Sequence, residues 1–149
     1  MMAQRHSFAV VYSQYNEHYV HGLLDNFKRE LSNISPNTHL AVYEVPGAFE
    51  IPLMVNEVAA RGGVEAIVAL GLILKGETDH AEFIGSAVTK ALMDCSLRHK
   101  IPVVHEVLLV DDELQAEKRC LDPVHNRGVE AARAALRISQ ALTDFKARS

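Results

Sequence analysis

The sequence predicts an α/β protein, a three-layer α/β/α sandwich around a four-stranded parallel sheet. Three observations carry this. Four short apolar runs, Ser7 to Tyr12, His39 to Val45, Ala66 to Leu74 and Pro102 to Val110, alternate with stretches of helical period. The third run is apolar without alternation, as expected of a central parallel strand covered on both faces. With 149 residues, the chain fits one domain, 1–149, with a single sheet and crossover helices.

After the first run, Tyr19, Val20, Leu23, Leu24, Phe27 and Leu31 recur at helical spacing, and Ser35-Pro36-Asn37 makes a turn. The second run leads into Pro46-Gly47-Ala48-Phe49-Glu50-Ile51-Pro52. There Pro52 suits the first turn of a helix reaching Arg61, which Gly62-Gly63 closes. Following the third run and Gly76, Asp79-x-x-Glu82 has the pattern of a capping box, and Phe83, Ile84, Ala87, Val88, Ala91 and Leu92 form the next apolar stripe. Lys100-Ile101-Pro102 ends that helix. The fourth run precedes a short helix from Asp112 to Leu121, a turn from Asp122 to Gly128, and a final helix from Val129 to Phe145.

Composition narrows the function classes. A formal net charge of -4 and a pI near 6.0 argue against a nucleic-acid or anionic-membrane partner, so any basic site must be local. No apolar run is long enough to span a bilayer as a helix, and Met1 to His6 has no long apolar core of a secretory signal, so the expected location is cytoplasmic. Cys95 and Cys120 both fall in expected helices without a ligand partner at zinc spacing, which suits small buried side chains; no metal site is expected. Neither a dinucleotide fingerprint nor a P-loop follows any strand.

Ligands of open parallel sheets bind beyond the carboxyl ends of the strands. Tyr15 and Asn16 follow the first strand, Gly47 to Glu50 the second and Lys75 to His80 the third, while the fourth carries His105 and Glu106. Gly76, Glu77 and Thr78 lie between a strand end and a helix start, a place for an ordinary turn or for a bound anion such as phosphate. His80, just beyond, is a candidate proton shuttle. Glu50 is either an acceptor for a polyhydroxy ligand or a dipole-complementing acid. Tyr15 either stacks on a planar heterocycle or packs locally. Arg119 and Arg127 read as local cations or as solvated surface; His105 and His125 stay open on spacing alone.

Taken in order, three blocks resemble the lumazine synthase family over nearly the whole chain: Pro46 to Pro52; Gly71-Leu72-Ile73-Leu74-Lys75-Gly76-Glu77-Thr78-Asp79-His80; and Pro102 to Arg119 followed by Asn126 to Ala132. The resemblance implies a lumazine synthase-like, flavodoxin-like architecture and a cofactor-free transferase of the penultimate step of riboflavin synthesis. That enzyme condenses 5-amino-6-(D-ribitylamino)uracil with 3,4-dihydroxy-2-butanone 4-phosphate and releases phosphate and water. An archaeal-type riboflavin synthase and a non-catalytic flavin- or lumazine-binding shell protein are the alternatives.

By this resemblance Tyr15 and Asn16, Ala48, Phe49 and Glu50, and Leu72, Ile73 and Leu74 hold the uracil and its ribityl chain. Gly76, Glu77 and Thr78 take the phosphate by backbone N–H and hydroxyl groups, and His80 transfers protons. Arg119 matches a phosphate-pairing arginine and Arg127 stands where lysine is common. The resemblance implies that both arginines, with His105, come from a neighbouring subunit of a homo-oligomer built on pentamers. His105 replaces a common Phe and Glu106 a common small residue, which marks the uracil side as the place where this chain departs from the family.

Overall fold

A computed structural model describes residues 5–148. The sheet has the order β2-β1-β3-β4, all neighbours parallel, with β1 Ser7–Ser13, β2 His39–Val45, β3 Ala66–Leu74 and β4 Val103–Val110. The helices are α1 Glu17–Ile34, α2 Ile51–Arg61, α3 Ala81–His99, α4 Glu113–Cys120 and α5 Arg127–Ala147; a 3-10 turn, Ala48–Glu50, leads into α2.

Two apolar layers sandwich the sheet. Alternate strand residues Phe8, Val10, Val68, Leu70 and Leu72 meet α1, α4 and α5, and Ala9, Val11, Ile67, Ala69 and Ile73 meet α2 and α3. β3, between β1 and β4, faces both layers, which is why its residues from Ala66 to Ile73 are all buried and why its sequence shows no alternation. Burial of each large side chain such as Phe8 or Leu23 contributes about 2 kcal/mol.

The chain leaves β1 for β2 on one side and returns across β1 to β3. The loops after β1 and β3 therefore diverge at their carboxyl ends, opening a crevice there. Gly128 sets how closely α1 and α5 pack: a Cβ at this position would collide with the Leu23 carbonyl and meet Asn26 Cβ at 3.0 Å.

Helix starts differ from expectation in two places. α3 begins at Ala81 with His80 in the cap position and no side-chain cap, so the expected Asp79–Glu82 box does not form. Gly76 turns the chain at φ 96, and Asp79 falls one residue short of the cap position. Glu82 lies instead 3.6 Å from Lys75 Nζ. α5 begins at Arg127 rather than Val129, because Asn126 caps it: its side chain accepts the Val129 N–H at 2.8 Å. Asp112 likewise caps α4, accepting the Gln115 N–H at 2.9 Å.

Candidate active site

The crevice is a cleft of about 280 Å³ at the carboxyl ends of β1, β2 and β3. Tyr15, Asn16, Ala48, Phe49, Glu50, Leu72, Ile73, Leu74, Glu77 and Thr78, all named from the sequence, line it together with Gly47 and Ile84. Its walls are mostly apolar with a few convergent polar groups, the usual make-up of a small-molecule site.

Three loops build it. Tyr15 N–H donates to the Pro46 carbonyl at 2.9 Å, tying the loop after β1 to the loop after β2. The Glu50 N–H closes the 3-10 turn onto Gly47 O at 3.1 Å. Asn16, left-handed at φ 63, directs its amide Nδ2 to the Leu72 carbonyl at 2.9 Å and to Glu77 Oε2 at 3.4 Å. One side chain thus joins the loops after β1 and β3 and leaves its Oδ1 open. The rings of Tyr15 and Phe49, 61% and 64% exposed, stand at the mouth, where a planar ligand can cover them.

The loop after β3 answers the anion question in part. Asn16 draws the Glu77 carboxylate toward the β1 loop. The Glu77 N–H closes a turn on Leu74 O at 3.3 Å, so it is not the free donor the resemblance assigns. Thr78 is better placed: its Oγ1 accepts the His80 N–H at 3.2 Å, which leaves the hydroxyl proton to donate outward. The uncapped start of α3 adds unsatisfied N–H groups and its dipole. His80 is exposed, its ring tilted over Phe83 with centroids 6.4 Å apart.

His105, Arg119 and Arg127 do not line this cleft. His105 points into the α3 layer. Its Nδ1 accepts the Val107 N–H at 3.1 Å, so the ring proton sits on Nε2, 2.7 Å from Thr89 Oγ1. Burial holds its pKa below the ordinary histidine value and keeps it neutral.

Arg127 differs from its expected role: it grips Glu106 with Nε and an Nη at 2.9 Å each and also pairs with Glu130. Sequence reasoning flagged Glu106 as a misfit without finding this partner. Burial raises the Glu106 pKa while the guanidinium opposes the rise. Arg119 is exposed, and among the described residues no carboxylate lies within salt-bridge distance of it.

Residues 5–143 match the family model for 6,7-dimethyl-8-ribityllumazine synthase. The chain belongs to the lumazine synthase family. The 6,7-dimethyl-8-ribityllumazine synthase of Halorhodospira halophila is 34% identical over 141 residues, covering 94% of this chain and 90% of that protein. The match takes in every wall of the cleft and the helices that carry Arg119 and Arg127. In this lumazine synthase family member both cysteines are buried, and burial pushes the Cys120 thiol up to about 12, so it is inert as a nucleophile. No described helix is long and apolar enough to cross a membrane.

Proposed function

We propose that the chain is a 6,7-dimethyl-8-ribityllumazine synthase, joining 5-amino-6-(D-ribitylamino)uracil to 3,4-dihydroxy-2-butanone 4-phosphate with release of inorganic phosphate and water. The observation that carries the reading is the cleft itself: three separate loops named from the sequence converge on one crevice with an uncapped helix start beside it.

The uracil lies against Tyr15 and Phe49, its polar edge on the Leu72 to Leu74 backbone and Asn16, with Glu50 accepting from ribityl hydroxyls. The phosphate lies at Gly76 and Thr78. The arylamine attacks the ketone carbon, water leaves to give an imine, phosphate is eliminated, and the ribityl-bearing nitrogen closes the ring with loss of a second water. His80, at the loop's end, moves protons between these steps. Holding two reactants in one cleft supplies much of the acceleration. Phosphate departs where N–H groups and a guanidinium stabilise its charge.

That guanidinium is Arg119 of a neighbouring subunit in a pentamer-based homo-oligomer. Two observations support this: Arg119 is exposed outside its own chain's cleft, and Leu53, Phe83, Met93 and Leu97 leave apolar surface on α2 and α3 to be covered. Arg127, committed to Glu106, is left out of phosphate binding.

Mixing the protein with both substrates and following lumazine fluorescence tests the reaction; product that depends on both substrates is expected. Riboflavin formed from the lumazine alone would replace this reading with riboflavin synthase chemistry. Bound lumazine without turnover of the two substrates would make the chain a binding protein.

A further inference from the structure

The phosphate loop is braced by charges that the reaction itself does not use. Lys75, the first residue after β3, continues the sheet by donating its N–H to Val110 O at 2.9 Å. Its Nζ stands 3.0 Å from Asp111 Oδ1, at the end of β4, and 3.6 Å from Glu82 Oε1, in the first turn of α3. One ammonium therefore spans both ends of the Gly76–Thr78 turn. Asp111 extends the brace into α4: its N–H donates to Gln115 Oε1 at 2.7 Å, and Gln115 Nε2 returns a bond to Asp111 Oδ2 at 3.4 Å. Arg119 follows one turn later on the same helix face, four residues beyond Gln115.

We propose that Lys75 is a positioning residue for the phosphate-bearing substrate, fixing the Gly76–Thr78 loop of its own cleft and, through Asp111, the α4 helix whose Arg119 reaches the phosphate side of a neighbouring subunit. The inference rests on the reading of that loop as the phosphate side. Lys75 does not serve as a phosphate ligand, because two carboxylates already neutralise its ammonium. Nor is it there chiefly for stability. Its partners are well exposed, with side chains 77% and 61% accessible, and exposed ion pairs add little to folding. What the brace contributes is geometry: a small displacement of a loop that presents N–H and hydroxyl groups to an anion weakens binding there and nowhere else. Electrostatics agree from both partners, Asp111 raising the Lys75 pKa and Lys75 lowering that of Asp111.

The test compares Lys75→Met, Lys75→Arg, Asp111→Asn, Thr78→Ala and Arg119→Ala in the full-length assembled protein. The measurements are KM for each substrate, inhibition by inorganic phosphate, and the thermal midpoint. Lys75→Met is expected to raise the KM for the butanone phosphate and the phosphate inhibition constant by about fivefold, the ratio matching the upper end of an exposed pair's energy. Its kcat, uracil KM and thermal midpoint stay at wild-type values, and Lys75→Arg restores the phosphate terms. If Lys75→Met does not assemble, Asp111→Asn carries the same expectation.

A Lys75→Met protein with wild-type phosphate terms, alongside raised KM in Thr78→Ala and Arg119→Ala, overturns the positioning role alone. Equal weakening of both substrates together with a lowered midpoint overturns it as well, in favour of a purely structural role. Unchanged KM for the butanone phosphate in all five variants overturns the phosphate assignment and this inference with it.

Discussion

Arg119 and Arg127 reach the same expectation from the sequence, two cations flanking the junction of α4 and α5, and the structure separates them. Arg119 is exposed on α4, with Asp111 nearby but no carboxylate within bonding reach among the described residues. Arg127 is clamped by Glu106, whose side chain is only 7% accessible, and by Glu130. The difference lies in the partner. A guanidinium beside a buried carboxylate neutralises a charge the fold cannot leave alone, whereas one with open N–H groups remains available to a ligand.

The widest separation between the two is in stability. Arg127→Met leaves the Glu106 carboxylate buried without a counter-charge, and we expect unfolding free energy to fall by about 3 kcal/mol. Its pH dependence has a defined sign. Burial already raises the Glu106 pKa, and losing the guanidinium raises it further, so the folded chain holds that proton more tightly than the unfolded chain. The deficit is therefore greatest at neutral and higher pH and shrinks as acid protonates Glu106. Denaturant melts at several pH values check this; a loss that does not vary with pH would break the assignment.

Arg119→Ala should do the opposite, leaving the melt unchanged while raising the KM for the butanone phosphate about tenfold, as expected for a lost hydrogen bond to a charged group. The uracil KM should stay near wild type. Equal effects on both substrates would remove Arg119 from the phosphate side and erase the contrast with Arg127.

The same arginine tests where the site is completed. Ala48→Trp fills the cleft of its own chain, and Arg119→Ala removes the cation that this chain offers to another. If sites are shared, unfolding and refolding the two variants together restores the wild-type KM for the butanone phosphate at about a quarter of the sites, by random pairing of subunits, a KM that neither variant shows alone. Mixtures that show only the raised KM of Arg119→Ala would place Arg119 in its own chain's site.

How much of this was legible follows from how local each signal is. Tyr15-Asn16 and Gly47 to Glu50 read directly from the sequence because they are contiguous segments at strand ends, where parallel sheets gather ligands, whereas Leu72 to Leu74, inside β3, were marked by the family resemblance. β3 was recognisable because burial on both faces leaves an unbroken apolar run. Asp79 misled because the capping pattern does not carry the backbone path from Gly76 to His80, which puts His80 and not Asp79 in the cap position of α3. The Glu106–Arg127 pair spans 21 positions and depends on α5 packing against β4, which no local spacing encodes. His105 was likewise open from sequence, since its tautomer is fixed by Thr89 on another element and by the Val107 N–H.

The smallest expected effect is the most discriminating for the pair. Glu106→Gln keeps the side-chain shape and removes the buried charge, while Arg127, 44% accessible, retains water and Glu130. Because desolvation opposes the attraction in such pairs, stability at neutral pH should change by less than about 1 kcal/mol. A raised carboxyl pKa means the wild-type protein loses stability as pH climbs through Glu106's own titration, above the ordinary glutamate range. Glu106→Gln removes that decline and flattens the profile there. Combined with Arg127→Met it should also recover most of what the arginine change alone loses, since no charge is then left stranded. If Glu106→Gln instead destabilises as much as Arg127→Met, the pair contributes net attraction, and Arg127 would be held in place for more than neutralising its neighbour.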